Sequence, residues 1–358
     1  GLSIDDIDGA ELAKQALRYL YRILFLLFAE ASPELEILPT GSPEYDEGYG
    51  LARLRELVLD PPVTHAARNG THLYESLQLL FNLVDKGHSP EAESAEGYNS
   101  DATEPGLSFR NLSADLFLPV ATALIDEVML SNEALNKVLE NLLLSKVKSG
   151  KDRGFISYAT LGVTELGQVY EGLMSFTGFI AQEDLYEVAP EGKADKGSWM
   201  LPVSRANDVP ADSFDMHEVE SGGGFRKERR VHPRGSFVFR QSSRDRERSA
   251  SFYTPQVLTN FTVRQAIEVL QESGRISTAE DILTLKICEP AMGSGAFAVE
   301  TVRQLAELYL EMRQEELNEQ IDPEIRAKEF QKIKAHIALH QVYGVDLNAT
   351  AVELAEIS

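Results

Sequence analysis

The chain has 358 residues, 43% of them hydrophobic, and a formal net charge of −23 at pH 7. That length holds two domains with buried cores. The acidic balance excludes a general nucleic-acid coat, because phosphate binding relies on Lys and Arg releasing condensed counterions.

The single cysteine, Cys288, excludes an internal disulfide and any multi-cysteine zinc site, as in a reducing compartment. It is expected to be a buried strand residue. The most apolar run, Tyr19 to Ala31, is interrupted by Arg22 and Glu30 and is too short to span a bilayer, and nothing resembles a cleavable signal. A cytoplasmic protein without a membrane partner is the expectation. The chain begins with Gly1, and Ala351 to Ser358 reads as a helix barely begun, so both ends are expected to be cuts through a longer protein.

The first half reads as helical. Asp8 followed by Glu11 is a capping-box pattern leading into a helix from Leu12 through Ala31, apolar almost all round toward its end and hence central to a bundle. Leu73, Leu77, Leu80, Phe81 and Val84 predict a second helix, and others are expected over Leu51 to Val58, Leu116 to Met129 and Ala134 to Val147. Turns are expected at Ser32-Pro33, Gly41-Ser42-Pro43 and Asp60-Pro61-Pro62, and the polar stretch Gly87 to Gly106 reads as a surface loop or a disordered segment.

From Gly154 to Leu185 the pattern predicts extended Ile156-Ser157-Tyr158 and a helix carrying Leu166, Val169, Tyr170, Leu173 and Met174. A linker or two-strand excursion follows, ending at Gly222-Gly223-Gly224. Arg226 to Arg248 is a basic segment in an acidic chain: Arg226, Lys227, Arg229, Arg230, Arg234, Arg240, Arg244, Arg246 and Arg248 face only Glu228, Asp245 and Glu247. A solvated loop and a phosphate contact both fit it. Thereafter a strand over Ile282 to Cys288, a helix from Ser294 and a strand over Val342 to Val345 predict an α/β unit with parallel strands.

The chemistry lies in Glu289-Pro290-Ala291-Met292-Gly293-Ser294-Gly295-Ala296-Phe297. A strand ending at an acid, a turn on two glycines and a helix start bring bare backbone and helix amides close to a ligand, which suits a nucleoside cofactor. Gly293-x-Gly295-x-x-Ala298 also fits the dinucleotide fingerprint, but that reading expects an acid about 20 residues on, and the next strand-end acid, Asp346, comes far later.

Upstream stands Ser251-Phe252-Tyr253-Thr254-Pro255. The full set resembles the adenine-specific DNA methyltransferases of restriction-modification and phage-defence systems. The resemblance implies an N-terminal mainly α-helical domain followed by the start of a Rossmann-like, S-adenosylmethionine-dependent methyltransferase domain, hence an α/β protein. It implies that Tyr253, Thr254 and Pro255 contact the methionine part of the cofactor, that Glu289, Ala291, Gly293 and Gly295 line its loop, and that Asp346 binds the ribose hydroxyls. Met292 departs from the small residue or Cys common at its place. Tyr19 to Glu30, Leu161-Gly162-Val163 to Glu171-Gly172-Leu173 and the Arg-rich lead into Tyr253 resemble the large members found in DISARM and BREX defence systems. Double-stranded DNA and defence-system proteins are the implied partners, with Arg240, Arg244 and Arg246 on DNA phosphates.

The family's Asn/Asp-Pro-Pro-Tyr/Phe motif, which holds a flipped base for attack, does not follow Asp346. Asp60-Pro61-Pro62-Val63 is the near match, but Val63 has no stacking face, and a helix-ending turn is expected there. His336 and His340 lack a third ligand or an intervening Glu, and no phosphate-binding Gly-x-x-x-x-Gly-Lys loop occurs. The expected layout is a helical domain over residues 1–185, a linker with the basic segment over 186–250 and an incomplete methyltransferase domain over 251–358. The alternative is a noncatalytic module that binds DNA or a defence partner.

Overall fold

The computed structural model describes residues 7–89, 107–112, 114–146, 153–174, 176–193, 198–221, 224–241, 254–318, 320–348, 351–352 and 355–356. Most of the Gly87 to Gly106 loop, Gly222-Gly223, Arg244, Arg246 and Tyr253 lie outside these residues. Two compact units are present, one of Gly1–Leu161 with Gly172–Arg246, the other of Gly162–Glu171 with Glu247–Ser358.

In the first unit, α1 (Gly9–Ala31) starts under the Asp8 carboxylate, which accepts the Ala10 and Glu11 amides at 2.9 and 3.3 Å. All residues from Tyr21 to Ala29 are buried, as the all-round apolar run requires. Next come α2 (Pro43–Gly48), α3 (Leu54–Leu59), α4 (His65–Asn69) and α5 (His72–Lys86). The last buries Leu73, Leu77, Leu80, Phe81 and Val84 along one stripe. Asp60 caps the C-terminus of α3, and Val63 is 77% exposed, so Asp60-Pro61-Pro62-Val63 is a helix-ending turn.

The helix expected over Leu116 to Met129 is broken. Turns of 3-10 helix at Asp115–Phe117 and Pro119–Thr122 precede α6 (Ala123–Val128). Pro119 has no amide hydrogen to give a helix. The fully buried Arg22 guanidinium also takes the Leu116 and Leu118 carbonyls, at 2.7 and 2.8 Å, and the Thr122 hydroxyl at 2.9 Å. Burial pushes Arg22 down to about 10, against the opposing charge of Asp126. α7 (Asn132–Leu143) follows, N-capped by Ser131.

Extended chain at Ile156 pairs back, its amide donating to the Leu143 carbonyl at 2.8 Å. α8 (Val163–Met174) forms where the apolar spacing predicts it. Most of α8 belongs to the second unit. After it the first unit continues with strands: β1 (Phe176–Ile180), β2 (Leu185–Val188), β3 (Trp199–Pro202), β4 (Met216–Ser221), β5 (Gly224–Arg229), β6 (Val231–His232) and β7 (Phe237–Gln241). β7 returns antiparallel to β1, β2 lies between β3 and β6, and β4 and β5 pair antiparallel, β5 lying beyond the stretch in which a linker or two-strand excursion is expected. Val238 is fully buried with Ala181 and Leu185, which ties the basic stretch into a core. α1 lies so close to β1 that a Cβ on Gly9 would come within 2.6 Å of the Phe179 Cα.

The second unit contains α9 (Gln256–Glu272), α10 (Ala279–Thr284), β8 (Ile287–Glu289), α11 (Ala296–Leu317), α12 (Pro323–His340) and β9 (Val342–Gly344). β8 and β9 are parallel, and Val263, Ile267, Ile282, Val302, Leu305, Ala306 and Ile337 form the core. The strand expected from Ile282 begins only at Ile287. Thr278 and Asp281 form a reciprocal capping box that commits Ala279–Thr284 to helix and buries Ile282 from it. Cys288 is on the strand but exposed, correcting the expectation of burial. Side chains alternate along a strand; Ile287 packs against the core and Cys288 takes the other face.

Candidate functional site

Parallel pairing sets the site. Ile287 faces Val342 and Glu289 faces Gly344. The ladder runs on past the strands, with the Val345 amide donating to the Glu289 carbonyl and the Met292 amide to the Val345 carbonyl, each at 3.0 Å. The turn after β8 is thereby held to the end of β9. Gly293 (φ 55°) and Gly295 (φ 79°) are both left-handed, a conformation that a Cβ disfavours. At Gly293 an added Cβ would meet no atom within 4 Å, so the space before the turn is open.

Two carboxylates flank this opening. Asp346 is half-buried; its Oδ2 accepts the Gly293 amide and its Oδ1 the Asn348 amide, each at 2.8 Å. Glu289 Oε2 accepts the Ala298 amide, in the first turn of α11, at 2.9 Å. Burial pushes the Glu289 carboxyl up, the Ala298 and Phe297 amides pull it down, and nearby Asp346 adds to the rise.

The two cofactor readings ask different things of this arrangement. A dinucleotide site offers free helix amides to a pyrophosphate. Here the protein's own carboxylate holds the first-turn amides of α11, and a second carboxylate stands at the turn. A pyrophosphate would meet negative charge, whereas a cationic nucleoside would be favoured. Open space at Gly293 and two carboxylates beside it fit S-adenosylmethionine, which carries a positive sulfur.

Ala291 is exposed, and the Met292 side chain lies over Gly344, so the departure at Met292 is matched by bare backbone opposite. Thr254 is half-buried, and Pro255 caps α9, its carbonyl accepting the Leu258 amide at 2.8 Å. Sequence reasoning missed a buried clasp between α9 and α11. Glu300, 6% exposed, accepts from Asn260 Nδ2 at 2.9 Å, Gln304 Nε2 at 2.6 Å and Arg303 at 2.6 Å, and Gln304 also donates to the Asn260 carbonyl at 3.0 Å. Asn260 stands as far past the cap of α9 as Glu300 past that of α11, which was the one available signal.

The described arginines of the basic segment are mostly engaged within the first unit. Arg226 pairs with Glu228, and Arg230 Nε contacts Asp215 at 2.6 Å and Glu187 at 3.6 Å. The Arg229 guanidinium lies 3.9 Å from the Phe214 ring centre. Arg240 is half-buried on β7 and donates to the Ser198 carbonyl at 3.2 Å. The His336 and His340 rings lie 4.7 Å apart on α12, tilted by 56°, and among the described residues no cluster of three or more metal-ligating side chains occurs. No described helix is long and apolar enough to cross a membrane.

No curated protein and no solved structure matches the chain. Residues 270–358 match the family model described as MmeI, DNA-methyltransferase domain. The match begins within α9, so Tyr253 to Pro255 precede it. The C-terminal part of the chain thus carries a DNA-methyltransferase domain of the MmeI type.

Proposed function

We propose that the protein transfers a methyl group from S-adenosylmethionine to the N6 amino group of adenine in double-stranded DNA, in restriction-modification or phage defence of the DISARM or BREX kind. The observation that carries this reading is the glycine turn flanked by Glu289 and Asp346, within the region that matches a DNA-methyltransferase domain. The cofactor supplies the methyl group, bonded to a cationic sulfur. Glu289, Ala291, Gly293 and Gly295 line its loop, Asp346 accepts from the ribose hydroxyls, and Tyr253, Thr254 and Pro255 cover the methionine end. The methyltransferase domain runs from about residue 251, and Arg240, Arg244 and Arg246 belong to the phosphate-contacting surface.

Adenine specificity rests on the resemblance carried by Tyr253-Thr254-Pro255 and Glu289-Pro290-Ala291-Met292-Gly293-Ser294-Gly295. Titration calorimetry with S-adenosylhomocysteine and with NAD tests the cofactor assignment. Wild type binds the former and not the latter, and Gly293→Trp, folded by circular dichroism, loses binding because the indole fills the open space at the turn. Undiminished binding by Gly293→Trp, or tight NAD binding by wild type, would overturn it.

A further inference from the structure

The caps of α9 and α11 are Pro255 and Gly295. Near these ends Asn260 meets Glu300, and near the far end of α11 the amide of Ala279, first residue of the α10 that follows α9, donates to Glu316 at 2.7 Å. The two contacts set the helices side by side in the same direction, so both N-termini emerge at one end of the unit. Asn260 and Glu300 lie about 7.5 Å along their helices from the caps, at 1.5 Å per residue.

The clasp is a costly one to build. A carboxylate with little solvent access is disfavoured unless hydrogen bonds and charge compensate, and Glu300 receives Asn260, Gln304 and Arg303 together. Arg303 also reaches Glu307 at 3.1 Å, and buried Thr259 bonds back to the Gln256 carbonyl at 2.9 Å. Among these polar bonds, Asn260 to Glu300 and Gln304 to Asn260 bridge the two helices at this level. The apolar contacts below, through Val263, Ile267, Val302 and Ala306, can tolerate sliding; a directed hydrogen bond to a charged group cannot.

We propose that Glu300 is a positioning residue, which through Asn260 holds the start of α9, and with it Thr254 and Pro255, in register with the Gly293–Gly295 turn. This rests on the reading of that turn as the cofactor site. Glu300 touches no cofactor itself. Its effect on affinity passes through α9.

The test combines amide hydrogen exchange of the cofactor-free protein with calorimetric binding of S-adenosylhomocysteine, on wild type, Glu300→Ala, Glu300→Gln and Asn260→Ala. In Glu300→Ala and Asn260→Ala, exchange over residues 256–262 rises while that of the α10 core is unchanged, and cofactor affinity falls on the order of tenfold, as for loss of one bond to a charged group. Glu300→Gln keeps an acceptor for Asn260 and restores both. If Glu300→Ala fails to fold, Asn260→Ala carries the test. Unchanged exchange at the start of α9 in Asn260→Ala, or Glu300→Gln as impaired as Glu300→Ala, overturns the proposal. Local exchange with no binding by wild type would instead remove the cofactor reading and leave the clasp standing.

Discussion

The Met292 side chain occupies the place where Gly344 would carry a Cβ, its sulfur lying against the bare backbone of β9. A turn residue that is large for its position is thus accommodated by a strand residue with no side chain. Gly344→Ala should displace the thioether from the strand, costing about 1–3 kcal/mol as overpacking does. Met292→Ala in the same chain should recover most of that loss. Denaturant unfolding of the two single variants and the double variant gives the coupling; additive effects would show that the two residues do not share the space.

Asp346 has a structural task before any ligand arrives, because each oxygen already holds a backbone amide of the turn or its flank. Asp346→Ala should therefore lower cofactor affinity by about 1.5–3 kcal/mol, the range for bonds to a charged group, and also raise amide exchange at Gly293. Asp346→Asn retains an acceptor and should lose less. Calorimetry on both variants checks this, and wild-type affinity in Asp346→Ala would remove the ribose role.

Two carboxyls, buried Glu300 and half-buried Glu289, are shifted in opposite directions. Burial alone would raise Glu300, but hydrogen bonds from Arg303, Gln304 and Asn260 outweigh it and hold the carboxyl below its ordinary 4.5. Its stabilisation is complete above that value and is lost as pH falls through the lowered one, since the unfolded chain then binds the proton more tightly. Glu289, raised by burial from 4.5, contributes most below that value and loses its contribution as pH rises through the raised one. Glu300→Gln should flatten the acid side of a stability profile, and Glu289→Gln the side just above the ordinary carboxyl value. Denaturation midpoints across roughly pH 3 to 7 test both; a wild-type acid slope in Glu300→Gln would contradict the assignment.

Of the three arginines assigned to DNA phosphates, Arg240 is tied to Ser198 on a folded strand. Neutralising Arg240, Arg244 and Arg246 together should weaken binding to cognate and scrambled duplexes alike and reduce the salt slope by about 0.9 for each phosphate no longer neutralised. Arg240→Gln alone should reduce it by about 0.9, the share of a single phosphate contact. Affinity across a salt series decides; a selective loss on cognate DNA would move the cluster to base reading.

Much of this was legible where structure is local. The apolar stripe of α5 and the all-round apolar run of α1 are written in consecutive residues, and so are the two glycines whose positive φ makes the turn. What was hidden depends on partners distant in sequence. The break before α6 needs Arg22 to take the Leu116 and Leu118 carbonyls, and β7 is a strand because β1 lies beside it. The short β8 lost its first residues to a capping box that outweighed an apolar run. The clasp of Glu300 on Asn260 exists only once α9 and α11 lie together.

The central claim, methyl transfer to adenine in DNA, is tested most directly by incubating the full-length protein and its Gly293→Trp variant with methyl-labelled S-adenosylmethionine and duplex DNA, then digesting to nucleosides. Label in N6-methyldeoxyadenosine is expected with wild type and none with Gly293→Trp. Label in a cytosine derivative, or equal labelling by both proteins, would contradict it.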